Sequence, residues 1–66
     1  MEGREMKLTT TDIVESINGP TEGEQGIVVD IYTDEDGLTL VDVEMNNDRK
    51  VVTFYPYEIR KIRNVS

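Results

Sequence analysis

The chain has no cysteine, no histidine and no tryptophan. Without cysteine there is no disulfide and no thiolate metal site to brace a small fold. Without histidine and cysteine, acid–base or nucleophilic work would fall to carboxylates. Those carboxylates fall on turns and on an outer strand face, where burial cannot raise their pKa far. The reading is therefore non-catalytic, with no cofactor and no metal. Long apolar runs are missing as well, and the N-terminus carries no hydrophobic leader. The expectation is a cytoplasmic protein that does not engage a membrane. Basic residues are absent over the whole stretch from Glu24 to Asp48, which holds eight acidic residues. The segment before it, Met1 to Gly23, carries −3, and Arg49 to Ser66 carries +4, for a net charge of −7. An acidic middle is repelled by a phosphate backbone, which argues against non-specific nucleic-acid binding.

Sixty-six residues make one small domain. A chain of this size buries about 60% of the surface it exposes when unfolded. Its stability is expected at ~3–5 kcal/mol. The hydrophobic share of 36% suffices if each strand buries one face.

Three runs alternate apolar and polar residues: Gly26–Tyr32, Leu38–Met45 and Lys50–Tyr55. The connections are Thr33-Asp34-Glu35-Asp36-Gly37 and Asn46-Asn47-Asp48-Arg49, and Asp36-Gly37 is a strong hairpin signal. Pairing Tyr32 with Leu38 sets Val29 against Val41 and Ile27 against Val43. Pairing Met45 with Lys50 sets Val43 against Val52 and Val41 against Phe54. Both hairpins then turn Val41 and Val43 to one face, and a one-residue slip in either would break that agreement. The expected core is Ile27, Val29, Ile31, Val41, Val43, Val52 and Phe54. The expected outer rows are Tyr32–Leu38, Asp30–Leu40–Tyr55, Val28–Asp42–Thr53 and Glu44–Val51.

Upstream, Asp12–Ile17 reads as a first strand, although Ile13, Val14 and Ile17 do not choose one face by period two. Asn18-Gly19-Pro20 ends it, and Thr21–Gln25 reads as a loop. Pro56 removes a ladder donor and halts the fourth strand. Pro56–Ile59 suits a 3₁₀ turn, followed by a short closing strand, Arg60–Arg63. Residues 1–10 read as a flexible polar tail and 11–66 as the folded domain. The fold expected is all-β, a five-stranded barrel with a 3₁₀ turn before its last strand.

The residues Asp12-Ile-Val-Glu-Ser-Ile-Asn-Gly-Pro20, Gly23, Gly26-Ile-Val-Val-Asp-Ile31, Val41-Asp-Val-Glu44 and Val52-Thr-Phe54 resemble a KOW motif. The match is similar to the C-terminal domain of the transcription elongation factor NusG and related SH3-like barrels, including Tudor-type ones. It covers Asp12 to about Lys61. The resemblance implies an SH3-like barrel and binding to ribosomal or transcription proteins. Where that family carries partner-contacting aromatics, this chain has Thr21 and Glu24. Fold analogy alone does not assign function.

Several groups of residues could act. Asp34-Glu35-Asp36-Gly37 invites a calcium reading, but aligning Gly37 with the EF-hand glycine puts Tyr32 and Val43 on the first and last ligand positions. A solvated hairpin turn is the simpler account. Val28, Asp30, Tyr32, Leu40, Asp42, Tyr55 and Tyr57 form a candidate protein-binding face, acidic with aromatic and aliphatic islands. Its partner would be a basic protein of the transcription, translation or nucleic-acid-processing machinery. The chain's size and acidity also suit a phage-type modulator. The tyrosines equally serve as ordinary sheet cover. The alternative is RNA binding through Arg49, Lys50, Arg60, Lys61 and Arg63, set against a basic closing strand that balances the acidic middle. A monomer or weak homodimer is expected. Asn64-Val65-Ser66 matches a glycosylation sequon, which carries no weight without a secretory signal.

Overall fold

The computed structural model describes residues 8–65. It contains β1 (Asp12–Ser16), β2 (Gln25–Thr33), β3 (Thr39–Met45), β4 (Val51–Phe54) and β5 (Ile59–Asn64). One-turn 3₁₀ segments occupy Gly19–Thr21 and Pro56–Glu58. All five strands lie in one antiparallel sheet, in the order β4-β3-β2-β1-β5. The closing strand therefore pairs with β1, and β4 and β5 are the two margins of a sheet that hydrogen bonding does not close. Among the described residues no helix is long and apolar enough to cross a membrane. Residues 1–7 of the expected polar tail lie outside the described residues. Leu8 packs against the core, and the Thr9 amide donates to Asp12 Oδ2 at 2.9 Å.

The second hairpin has the register read from the sequence: Val41 opposite Phe54, Asp42 opposite Thr53, Val43 opposite Val52 and Glu44 opposite Val51. Met45 N–H donates to the Lys50 carbonyl at 2.8 Å and Arg49 N–H to the Met45 carbonyl at 2.9 Å, closing the turn. Asp48 Oδ1 accepts the Lys50 amide inside it. Val41 and Val43 are 0% exposed.

The first hairpin differs from its expected register. Its turn begins one residue later on β2 and ends one later on β3, so Thr33 faces Thr39 and Tyr32 faces Leu40. The cause lies in Asp34. Its Oδ1 accepts the amides of Asp36 and Leu38, and its own N–H reaches the Leu38 carbonyl, so Asp34 and Leu38 belong to the turn. Gly37, at φ +83, supplies the left-handed residue such a turn needs.

Further along β2 the register shifts between Val28 and Asp30, a bulge centred on Val29. Ile31, not Val29, lies opposite Val41, and Val28, not Ile27, falls opposite Val43. An extra residue on one strand reverses the inward and outward alternation beyond it. Val28, expected on the outer face, is thus buried at 1% exposure, while Val29, expected in the core, is 43% exposed. Ile27, also expected inside, faces Glu44 and is half-buried. Gly26 takes the inward position instead. A Cβ there would sit 2.5 Å from the Glu44 carbonyl oxygen and 2.6 Å from Val43 Cγ1, so the strands come closer than any side chain permits.

The core is Val14, Val28, Val41, Val43, Met45, Phe54 and Ile59, with Leu8, Ile31 and Val52 packed at its edge. β1 contributes through Asp12, Val14 and Ser16, its inward residues. Two of these three are polar, which is why an apolar period could not be seen in this strand. Ser16 Oγ donates to the Asn18 carbonyl at 3.1 Å and lies 2.8 Å from Thr21 Oγ1. These bonds satisfy a buried hydroxyl and hold the turn into β2.

Candidate protein-binding face

The outward residues of β2, β3 and β4 form one surface. Asp30 stands directly opposite Asp42, and Asp42 directly opposite Thr53. Thr53 Oγ1 donates to Asp42 Oδ1 at 2.7 Å, and Tyr32 Oη donates to the same oxygen at 3.4 Å. Asp30 Oδ1 accepts the Ile31 amide at 2.9 Å, a bond made where the bulge redirects the chain. Neither aspartate pairs with a cation among the described residues. Like charges placed directly across two strands repel, and two unneutralised carboxylates here leave the face locally negative.

Apolar surface borders this pair. Tyr32 faces Leu40 on the same side, with Tyr32 exposed and Leu40 half-buried. One step past β4, in alternation with Val51 and Thr53, comes Tyr55. Its ring stacks on that of Tyr57, with centroids 5.4 Å apart and planes 4° from parallel. The Pro56–Glu58 turn creates this stack. Glu58 Oε1 accepts the Tyr55 amide and the Glu58 amide donates to the Tyr55 carbonyl, both at 2.9 Å. Tyr57 is left 71% exposed. Of the seven residues proposed for this face, the structure brings together Asp30, Tyr32, Leu40 and Asp42. It sets Tyr55 and Tyr57 at the end of β4 and removes Val28 to the core. Thr53, not among the seven, ties β4 to Asp42.

The five basic residues of the alternative site are divided. Arg49 and Lys50 precede β4 at one margin of the sheet, and Arg60, Lys61 and Arg63 lie on β5 at the other. Three of them pair within the chain. Arg49 Nη1 lies 3.5 Å from Glu44 Oε2, Arg60 Nη2 2.7 Å from Glu15 Oε1, and Lys61 Nζ 3.5 Å from Asp12 Oδ1. Arg60 stands directly opposite Glu15 in the ladder and also donates its Nε to the same oxygen. Lys50 and Arg63 have no carboxylate partner among the described residues.

Asp12 has a displaced pKa. Burial by itself would raise it. Hydrogen bonds from Asn64 Nδ2 and the Thr9 amide, together with the Lys61 ammonium, outweigh burial and hold it below its ordinary value of 3.8. Asp12 thereby joins residues from the start and end of the domain. Nothing in the sequence marks it, because an aspartate leading a strand normally reads as exposed. No cluster of three or more carboxylates is placed to hold a metal ion among the described residues. In the turn proposed for calcium, Asp34 Oδ1 is already engaged by two backbone amides.

No protein-family model, curated protein or solved structure matches the chain.

Proposed function

We propose that this protein is a small non-catalytic binding module of the SH3-like type, and that it docks a basic protein partner on the outer face of β2–β4. The observation that carries this reading is the Asp30–Asp42 pair. Asp30, exposed, and Asp42, half-buried, stand side by side with no cation partner among the described residues, bordered by Tyr32, Leu40 and the Tyr55–Tyr57 stack. A lysine or arginine from a partner would relieve their repulsion, and the tyrosines would supply rigid apolar area with polar tips. The strand order, with a three-stranded meander and a last strand returning to the first, fits an SH3-like barrel. The KOW resemblance points the same way, toward a partner from the transcription or translation machinery. The basic residues support RNA binding less well, since they are divided between two margins and three are neutralised internally.

Affinity purification followed by titration with the captured basic partner tests the proposal. Asp42→Lys and Tyr55→Ala should each weaken binding by about tenfold or more, while Arg63→Glu should not. If both face variants bind as the parent does, the face is wrong.

A further inference from the structure

An asparagine or aspartate stands directly before glycine at Asn18-Gly19 and at Asp36-Gly37. In such a pair the glycine nitrogen can attack the side-chain carbonyl carbon and close a succinimide ring. Proximity drives the step, and glycine offers no Cβ to obstruct it. The structure treats the two pairs differently. Gly37 N–H donates to the Asp34 carbonyl at 3.0 Å, inside the turn that Asp34 Oδ1 holds through the Asp36 and Leu38 amides. Its nitrogen is therefore committed. Gly19 N–H has no acceptor among the described residues, because it is the first amide of a 3₁₀ turn. The Asn18 carboxamide has no partner among them either. Both residues are exposed, and nothing lies within 4 Å of the place a Gly19 Cβ would take. The other asparagines lack this combination. Asn46 and Asn47 precede residues that carry side chains. Asn64 donates its Nδ2 to Asp12, and the following Val65 N–H donates to the Thr11 carbonyl.

We propose that Asn18 is a self-modifying site, where attack by the Gly19 nitrogen expels ammonia and water opens the ring to aspartate and isoaspartate. In the first step the Gly19 nitrogen gives its proton to water and bonds to Asn18 Cγ. The Cγ–Nδ2 bond breaks, and ammonia leaves. Water then opens the succinimide. Attack at Cγ restores the ordinary backbone and gives aspartate. Attack at the main-chain carbonyl carbon sends the backbone through Cγ and gives isoaspartate. Both products add a negative charge to the turn. Isoaspartate also lengthens the main chain where the Asn18 carbonyl accepts the buried Ser16 hydroxyl. That bond fastens the turn into β2, so isoaspartate loosens it. The site uses neither the Asp30–Asp42 pair nor the tyrosines, and it does not depend on the binding function proposed above.

Incubation of the folded full chain at mildly alkaline pH tests it, beside a reference peptide spanning residues 15–22. Peptide mapping by mass spectrometry reads the exchange of the amide nitrogen for oxygen. Isoaspartate-specific enzymatic carboxyl methylation reads the isomer at positions 18 and 36. Asn18 in the folded chain should convert within about tenfold of the peptide's rate, because no hydrogen bond of the reacting groups has to break first. Isoaspartate at Asp36 should form at least about tenfold more slowly in the folded chain than in urea, where Gly37 is released. Asn18→Gln should remove the conversion at position 18 over the same incubation, since its longer side chain cannot close the same ring. The separated isoaspartate product should unfold at a lower urea concentration than the parent. Asn18→Asp, which keeps the ordinary backbone, should unfold with the parent. A folded chain whose Asn18 persists while the peptide converts overturns the proposal. Isoaspartate at Asp36 forming as fast in the folded chain as in urea also overturns it, because the turn would then protect nothing.

Discussion

Asp30 and Asp42 face each other across β2 and β3, two like charges in direct cross-strand register. The bulge at Val29 creates this arrangement. Without it, the alternation from Val28 would carry Asp30 to a different partner. Like charges so placed weaken a sheet, and this pair lies beside the exposed Tyr32, whose Oη donates to Asp42.

Asp30→Asn should therefore stabilise the protein by about 0.2–1 kcal/mol, the usual size of a cross-strand charge term. The asparagine Oδ1 can still accept the Ile31 amide. Urea unfolding of parent and variant measures the difference. The same variant should bind a basic partner more weakly, so stability and binding should move in opposite directions.

Val28 and Val29 separate the observed register from an unbulged one. Val28→Ala empties a buried site and should cost about 2 kcal/mol, whereas Val29→Ala should stay within about 0.5 kcal/mol of the parent. A reversed order of midpoints would place Val29 inside and remove the bulge.

Gly26→Ala tests the close approach of β2 to β3. Its Cβ meets backbone at Glu44 as well as the side chain of Val43, and backbone does not give way cheaply. A loss of about 1–3 kcal/mol is expected, measured by thermal or urea unfolding. A neutral result would mean that the strands stand further apart.

Asp12 should make the domain acid-sensitive. Its folded pKa is depressed, so its contribution is fully present above the unfolded value of 3.8 and is lost as pH falls through the folded value. Asp12→Ala should cost about 1–3 kcal/mol near neutral pH, from hydrogen bonds to a buried charged group. Above about pH 5 the gap between parent and variant should be constant, and below 3.8 it should shrink. Urea midpoints across that range check it; a gap that widens in acid would mean that the carboxyl is favoured in its protonated form.

Much of the candidate face was legible before the fold was known. Asp42 and Leu40 followed from the alternation of β3, and Thr53 and Val51 from the turn at Asn46–Arg49. Val28 was misassigned because Ile27, Val29 and Ile31 imitate one face of a regular strand. No local signal announces a bulge between them. The closing strand and the 3₁₀ turn after Pro56 were legible from proline chemistry, but their place beside β1 was not.

The amino-acid sequence by itself determined the central meander: three strands, their turns, and Val41 and Val43 facing inward. Those features depend on neighbours close along the chain, through period-two patterning and turn residues. The tertiary structure alone decided that β5 lies against β1, that Gly26 takes an inward position, and that Asp12 and Ser16 are buried with their polar partners. Each of these rests on contacts between distant segments. In such places a polar side chain can be buried if a partner satisfies it, and no alternation of residues records which partner that will be.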